Sequence, residues 1–461
     1  MKSNDILNVK ITTVTPLHIS NRNTLLEDKD FYLEKNNLHR IDYQTLISMI
    51  KENNADYLFN QMSKTNLHKI LASLLRKNKS KNKKSQEDWK EILRRKVGIV
   101  DTEEYEKKKE EEKENEYKKI KNILDKAEIY QIQPDFSSKN LNNKISELLI
   151  DNYYRSFIPG STIKGAIRTA FYFNCILQNK DCLKRLRFTW TKNPLKSDYS
   201  ISKDITGYDF GNFKKDIFNV LAVRDSQKLP FTDNVSIYQI KTMNIDTQKD
   251  EGNIVWKKGY PNNVASYKEA KDEYWEMFRP DTVFSTEIII DHDLKKLIQS
   301  KGYSKVDDLD GANIIKSMNV FGRSIVEKEL DYAKAYNADF LINFYDELFA
   351  KCKNSKETKE AYIPIGKGIP WHGKSVGSLL NAPSLDAIRA HFYKYMGEFI
   401  HIPCGEIIHG LKVKRRFCPK CEKQIYPNQL KCIKLFPKTR HIIFNKEKPA
   451  FPAGWLHIQV I

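Results

Sequence analysis

The sequence predicts an α+β protein of two lobes, and three observations carry that reading. Short strand-sized runs of β-branched residues recur along the chain, amphipathic helical stretches lie between them, and each half contains one glycine-rich basic turn. At 461 residues the chain exceeds the usual single-domain size, so two domains with insertions are expected. A hydrophobic fraction of 40% is enough to build their cores.

Residues 9–15, VKITTVT, are β-branched and alternate, and Pro16 stops them, which predicts the first strand. After the turn SNRN, Asp42 is placed as the N-cap of a helix with Leu46, Ile47 and Ile50 on one face. From about Arg76 to Lys126 the chain is dominated by charge, so residues 76–128 are expected to form a solvated helical insertion outside any core. FIPGSTIKGAIRTAFYFNCIL reads as a glycine turn, an N-cap at Ser161 and an amphipathic helix carrying Ile163, Ala166, Ile167, Ala170 and Phe171. NVLAVRDS and VSIYQIKTMNI predict strands of the same lobe, which then comprises residues 1–75 and 129–280.

VFSTEIIID opens the second lobe, residues 281–461, and a helical region at 311–352 follows it. Next come the turn GKGIPWHGKSVGSLL and a helical stretch through Leu385, Ile388, Phe392, Tyr395, Met396 and Phe399. A basic tail bearing cysteines precedes a closing strand pair at HIIF and GWLHIQV.

Lys and Arg outnumber Asp and Glu by 78 to 59, a net charge of +19 that a polyanion, most naturally nucleic acid, or a large solvated surface must accommodate; an AT-rich genome that inflates Lys explains the total equally well, so the placement of the charge decides. The charge concentrates in LKVKRRFCPKCEKQIYPNQLKCIKLFPKTR, with ten basic residues against one acidic. No window of about 18 apolar residues exists and the first residues lack a signal-peptide core, which predicts a cytoplasmic protein without a membrane span. Seven cysteines, an odd number, point to thiols or a metal site rather than a disulfide framework.

In the turn Gly160–Gly165, glycines admit close backbone approach and the amides of the helix start attract phosphate, while Lys164 and Arg168 share a helical face. GIPWHGKS, residues 368–375, matches the phosphate-loop pattern G-x-x-x-x-G-K-S. Its context argues against nucleotide hydrolysis: Pro364 interrupts the preceding segment, Pro370 and Trp371 crowd the loop, and no apolar strand ending in Asp follows to hold magnesium. His18 and His372 lie in suggestive loops, but each sits beside cations without a carboxylate cluster, which favours a hydrogen-bonding or RNA-contacting role over general-base catalysis. Cys418-Pro-Lys-Cys421 has the spacing of a zinc knuckle without a second such pair. Cys432 is the expected third ligand, and Cys404, His401, His409 and His441 are candidates for the fourth, Cys404 being the simplest. A structural zinc and free thiols both remain open, and no cofactor for catalysis is expected.

TTVTPLHIS, FIPGSTIKGAIRTAF, LAVRDS and GKGIPWHGKSVGSLL together resemble the RAMP-superfamily subunits of the type III-A CRISPR Csm effector complex. They are most similar to the fifth subunit, which caps the 3′ end of the guide RNA, and the closing FPKTRHIIFNKEKPAFPAGW fits it too. The resemblance implies two ferredoxin-like, RRM-related lobes and a non-catalytic subunit that binds crRNA and supports its maturation and antiviral defence. It implies as partners the neighbouring backbone RAMP subunits, the small Csm subunit, target RNA through the complex, and host trimming nucleases. Carried onto this chain, it selects His18, Asn21, Gly160, Ser161, Thr162, Lys164, Arg168, Gly366, Lys367, Gly368, His372, Gly373 and Lys374 for RNA. Arg415 and Arg416 are added on charge density alone. The charged insertion and the cysteine tail depart from the family pattern. The rival readings are a repeat-cleaving CRISPR endoribonuclease, which would need a histidine-centred acid-base site, and a RAMP subunit of the related Cmr complex.

Overall fold

The structure is a computed structural model that describes residues 5–34, 37–62, 70, 102–132, 134, 136, 144–179, 216–246, 253–259, 262–380, 398–409, 417–426, 429–432 and 437–461. The helical expectation for Leu385 through Met396, the first part of the charged insertion, and Arg415 and Arg416 fall outside these residues. The chain divides into two compact units, one of residues 1–21, 148–230 and 238–461, the other of residues 22–147 and 231–237.

In the first unit, alternation of β-branched and polar residues buries Val9, Ile11 and Thr13 along the strand Asp5–Thr13. That strand is the centre of a five-stranded antiparallel sheet, ordered Glu360–Pro364, Trp455–Val460, Asp5–Thr13, Val283–Ile290, Leu221–Val223. Ile11 lies opposite Ile458 on one side and Phe284 on the other. Strands expected in separate lobes are therefore ladder neighbours, a correction to the division at residue 281. The local pattern specifies that a segment is a strand, not which distant strand completes its hydrogen bonds.

Helix Gly160–Gln178 packs on the long helix Gly311–Ala335, with Phe173 edge-on to Phe321 at 5.3 Å and the Asn174 amide donating to Ser317 Oγ at 3.1 Å. Asp310 caps the long helix through the Asn313 amide. A second group of strands carries Arg440–Asn445 between the strand Val235–Asp246, where Ile443 faces Ile240, and the strand Lys448–Pro452. The expected pairing of HIIF with GWLHIQV does not occur, because these segments join different sheets. Phe399 lies not in a helix but in the strand Glu398–His401, between Glu406–His409 and Leu430–Cys432.

The second unit holds the sheet Phe31–Glu34, Asn37–Ile41, Glu128–Ile132 and the helix Tyr43–Glu52, which Asp42 caps by accepting from the amides of Gln44 and Thr45. Helix Thr102–Ala127 corrects the solvated-insertion expectation at its end: Ile120, Ile123, Leu124 and Ala127 are fully buried against Leu46 and Ile50. Their spacing of three, one and three residues makes one apolar stripe, which the surrounding charge conceals from a composition count. Lys121 reaches Glu34 at 2.8 Å beside this core. Among the described residues no helix is long and apolar enough to cross a membrane.

Candidate nucleic-acid interface

The first glycine turn is held from below by the segment that contains VRDS. Gly160 approaches that segment so closely that a Cβ would lie 2.0 Å from the Val223 carbonyl oxygen, so no other residue fits. Its amide donates to Asp225 Oδ1 at 2.8 Å, and the Ile158 amide donates to Ser226 Oγ at 2.9 Å while the Ser226 amide returns to the Ile158 carbonyl at 2.9 Å. The helix N-cap is Pro159, with no side-chain cap, and not Ser161, which is the exposed second residue of the helix. Asp225 already supplies the negative charge that the helix start attracts. The two cations of this helix also face the protein: Lys164 Nζ donates to the Leu221 carbonyl at 2.7 Å, and Arg168 pairs with buried Asp216 while lying 4.9 Å from the Phe218 ring. Thr162 is half-buried in the first helical turn.

The second glycine turn is built differently. Gly366 has φ +85°, and its missing side chain lets the backbone pass His18, whose carbonyl accepts from the Lys367 amide at 2.9 Å. His18 is fully buried, its Nδ1 donating to the Glu276 carbonyl at 2.7 Å and its Nε2 without a hydrogen-bond partner. Burial lowers its pKa to about 4, against the opposing bond to Glu276, and nearby Lys367 lowers it further. The imidazole is therefore neutral and supports the loop from beneath instead of facing a ligand. Its ring lies 5.4 Å from Trp275, and the half-buried Lys367 ammonium stands 4.1 Å from the centre of the same indole. Burial also lowers the Lys367 pKa, with Glu273 opposing. A desolvated cation over an aromatic face is suited to a phosphate or a stacked base.

Gly368 also lies against Trp275, while His372, Gly373 and Lys374 belong to a short 3-10 turn, Trp371–Lys374, in which Lys374 is exposed. The strand before this turn, Glu360–Pro364, is the edge of an antiparallel sheet, and a second 3-10 turn follows at Gly377–Leu379. A phosphate loop needs a helix start there to aim its amides at the nucleotide, so these residues do not form one. Asn21 is half-buried in the strand Ser20–Leu26.

The structure thus joins His18 to Gly366 and Lys367, and ties Gly160, Lys164 and Arg168 to residues 216–226. Sequence reasoning missed Trp275, the residue around which the second turn is organised, and gave His441 only as a metal candidate although its ring lies 5.4 Å from Trp275. Nothing in EYWEMF distinguishes a site tryptophan from a core one.

The tail places the atoms His401 Nδ1, Cys404 Sγ, Cys418 Sγ and Cys421 Sγ within 4.8 Å of one another. His401, one of the candidates for the fourth ligand, thus joins Cys404, Cys418 and Cys421 in this group. Cys432 lies opposite Phe399 on the strand Leu430–Cys432, and its side chain is outside the described residues.

A curated relative from Methanocaldococcus jannaschii, described as CRISPR system Cms protein Csm5, is 25% identical over 316 residues, which are 66% of this chain and 63% of the relative. The match therefore spans less than two thirds of that relative's length. A chain of the cryo-EM structure of a Csm-crRNA-target RNA ternary complex in a type III-A CRISPR-Cas system is similar in fold, with a TM-score of 0.53 at 16% identity over 98% of this chain and all of that one. A crystal structure of T. onnurineus Csm5 aligns with a TM-score of 0.48 at 14% identity, covering 98% of this chain and all of that one. The sequence profile of the RAMP superfamily matches residues 10–371, more than half of the chain, and the protein belongs to that superfamily.

Proposed function

We propose that this protein is a non-catalytic, guide-RNA-binding subunit of a type III-A CRISPR effector complex, that it caps the 3′ end of the crRNA, and that it supports crRNA maturation and antiviral defence. The observation that carries the reading is the likeness to the Methanocaldococcus jannaschii Csm5 within a RAMP-superfamily chain of net charge +19. The sheet order supports a ferredoxin-like body, because Trp455–Val460, Asp5–Thr13, Val283–Ile290 and Leu221–Val223 lie as an antiparallel 4-1-3-2 set with Glu360–Pro364 added outside. Lys367 over Trp275, with Lys374 exposed nearby in sequence, is the part of the candidate site best suited to backbone phosphate. The partners are the crRNA, neighbouring backbone and small subunits, target RNA through the complex, and recruited trimming nucleases.

A neutral, fully buried His18 is poorly placed for general-base chemistry, which weighs against the endoribonuclease reading. The test is to assemble the complex with and without this chain and to sequence the guide ends. Uniform 3′ ends that become ragged without the chain support capping; identical ends in both preparations overturn it. Cleavage of repeat RNA by the purified chain in chelator would restore the endoribonuclease reading.

A further inference from the structure

The cysteine tail contains two backbone loops of the same design. In the first, His401 and Cys404 are followed by Gly405 at φ +71°, and the Gly405 amide returns to the His401 carbonyl at 2.8 Å. In the second, Cys418 and Cys421 are followed by Glu422 at φ +56°, and the Glu422 amide returns to the Cys418 carbonyl at 2.9 Å. A left-handed non-glycine residue carries a steric cost, so its occurrence at the equivalent position of the second loop marks a shape the surroundings impose. The sulfurs accept main-chain bonds in the same manner: Cys404 Sγ from the Glu406 amide, Cys418 Sγ from the amides of Lys420 and Cys421.

We propose that His401, Cys404, Cys418 and Cys421 hold one structural zinc ion in a closed site of three thiolates and one imidazole. With zinc bonds of about 2.3 Å to sulfur and about 2.0 Å to nitrogen, a tetrahedron has edges of roughly 3.8 Å between sulfurs and roughly 3.5 Å between sulfur and nitrogen. Here Cys404 Sγ and Cys418 Sγ are 3.5 Å apart, and His401 Nδ1 lies 3.1 Å from Cys404 Sγ and 3.5 Å from Cys421 Sγ. A disulfide, at about 2.05 Å between sulfurs, is excluded for these cysteines, which are free. Three soft ligands and an imidazole select zinc over magnesium or calcium, and four protein ligands leave no open position for substrate, so the role is structural.

The small core around the site explains what the ion contributes. The local cluster consists of Phe399, Cys418, Ile425 and Leu430, with Ile408, Cys404 and Cys421 packed on it, so nearly half of it is ligand. So few apolar side chains do not hold a three-stranded sheet together, whereas zinc binding supplies folding free energy directly. His401 Nε2 is buried with no acceptor, which makes histidine the ligand with least outer support and the one a cysteine should replace.

Full-length protein prepared without added zinc should carry about one equivalent by elemental analysis. Cobalt exchanged into the unmutated protein should show the intense visible bands of a tetrahedral thiolate site, a readout that requires no variant to fold. Cys418→Ser with Cys421→Ser should lower the metal content by at least about tenfold, His401→Cys should retain it, and Cys432→Ser should leave it unchanged. Protein that binds neither zinc nor cobalt, or that carries iron instead, overturns the proposal. Loss of metal on Cys432→Ser in a folded variant overturns the ligand set.

Discussion

The two glycine turns, Gly160–Arg168 and Gly366–Lys374, look alike in sequence and are used in opposite ways. In the first, carboxylates of the same unit take the positions an RNA phosphate would occupy: Asp225 on the Gly160 amide and Asp216 on Arg168. In the second, a neutral histidine holds the backbone from inside, and the lysines stand on an indole face or in solvent. A glycine followed by spaced cations is therefore an ambiguous signal. Its meaning depends on where the acids of distant segments fold, and here Asp216 lies 48 residues beyond Arg168 and Asp225 lies 65 beyond Gly160.

The largest expected effect tests the first turn as a lock. Gly160→Ala would drive a Cβ into the Val223 carbonyl, which belongs to backbone and cannot swing aside, and should cost on the order of 4 kcal/mol in denaturant unfolding. A variant as stable as the parent would mean that the two segments are not locked. Next comes acid sensitivity of the second turn. The folded state holds His18 with a pKa of about 4 against 6.5 for the free side chain, so the unfolded state takes the proton more readily between those values. Stability should be complete above about pH 6.5 and fall by about 3 kcal/mol as pH drops to about 4, and His18→Gln should flatten that part of the curve. A parent curve already flat over this window would place His18 in a wetter site than described.

Arg168→Ala separates the turns further. It leaves buried Asp216 without its partner and should cost about 2 kcal/mol, while the folded variant binds RNA within about twofold of the parent. A loss of affinity with unchanged stability would return the first turn to the RNA path. The smallest effect is the converse pair, Lys367→Ala with Lys374→Ala. Filter binding should show affinity down about tenfold across unrelated sequences, a salt slope smaller by about 2, and thermal unfolding within a few degrees of the parent. Unchanged affinity and slope would leave neither turn as the contact.

What was legible in the chain was whatever local chemistry decides. Asp42 announces its helix because a carboxylate before an apolar face has amides to accept from, and VKITTVT announces its strand by alternation. The apolar stripe Ile120, Ile123, Leu124, Ala127 was present too, but lysines and glutamates around it set the composition of the window. Pairings across hundreds of residues leave no such trace, so the single sheet that unites Asp5–Thr13 with Val283–Ile290 could not be read. Trp275 was hidden for the same reason, since its neighbours His18 and Lys367 come from opposite ends of the chain. In the tail, Cys-Pro-Lys-Cys was visible because it is a familiar spacing. His401-Ile-Pro-Cys404-Gly405 carries the same loop geometry with one ligand changed, and only the backbone reveals the kinship.

The strand Trp455–Val460 has a consequence for how the molecule is made. It lies between Asp5–Thr13 and Glu360–Pro364, and the Trp455 amide donates to Thr15 across a separation of 440 residues. At a synthesis rate of about 10 residues per second, the first strand leaves the ribosome roughly three quarters of a minute before its neighbour exists. Until then the first strand presents unpaired amides and carbonyls toward the gap, joined by Glu360–Pro364 only over about the last 10 seconds, an edge that invites pairing with another nascent chain. Closure of the sheet is thus an event of very high contact order, because it waits for a strand made more than 400 residues after the one it pairs with.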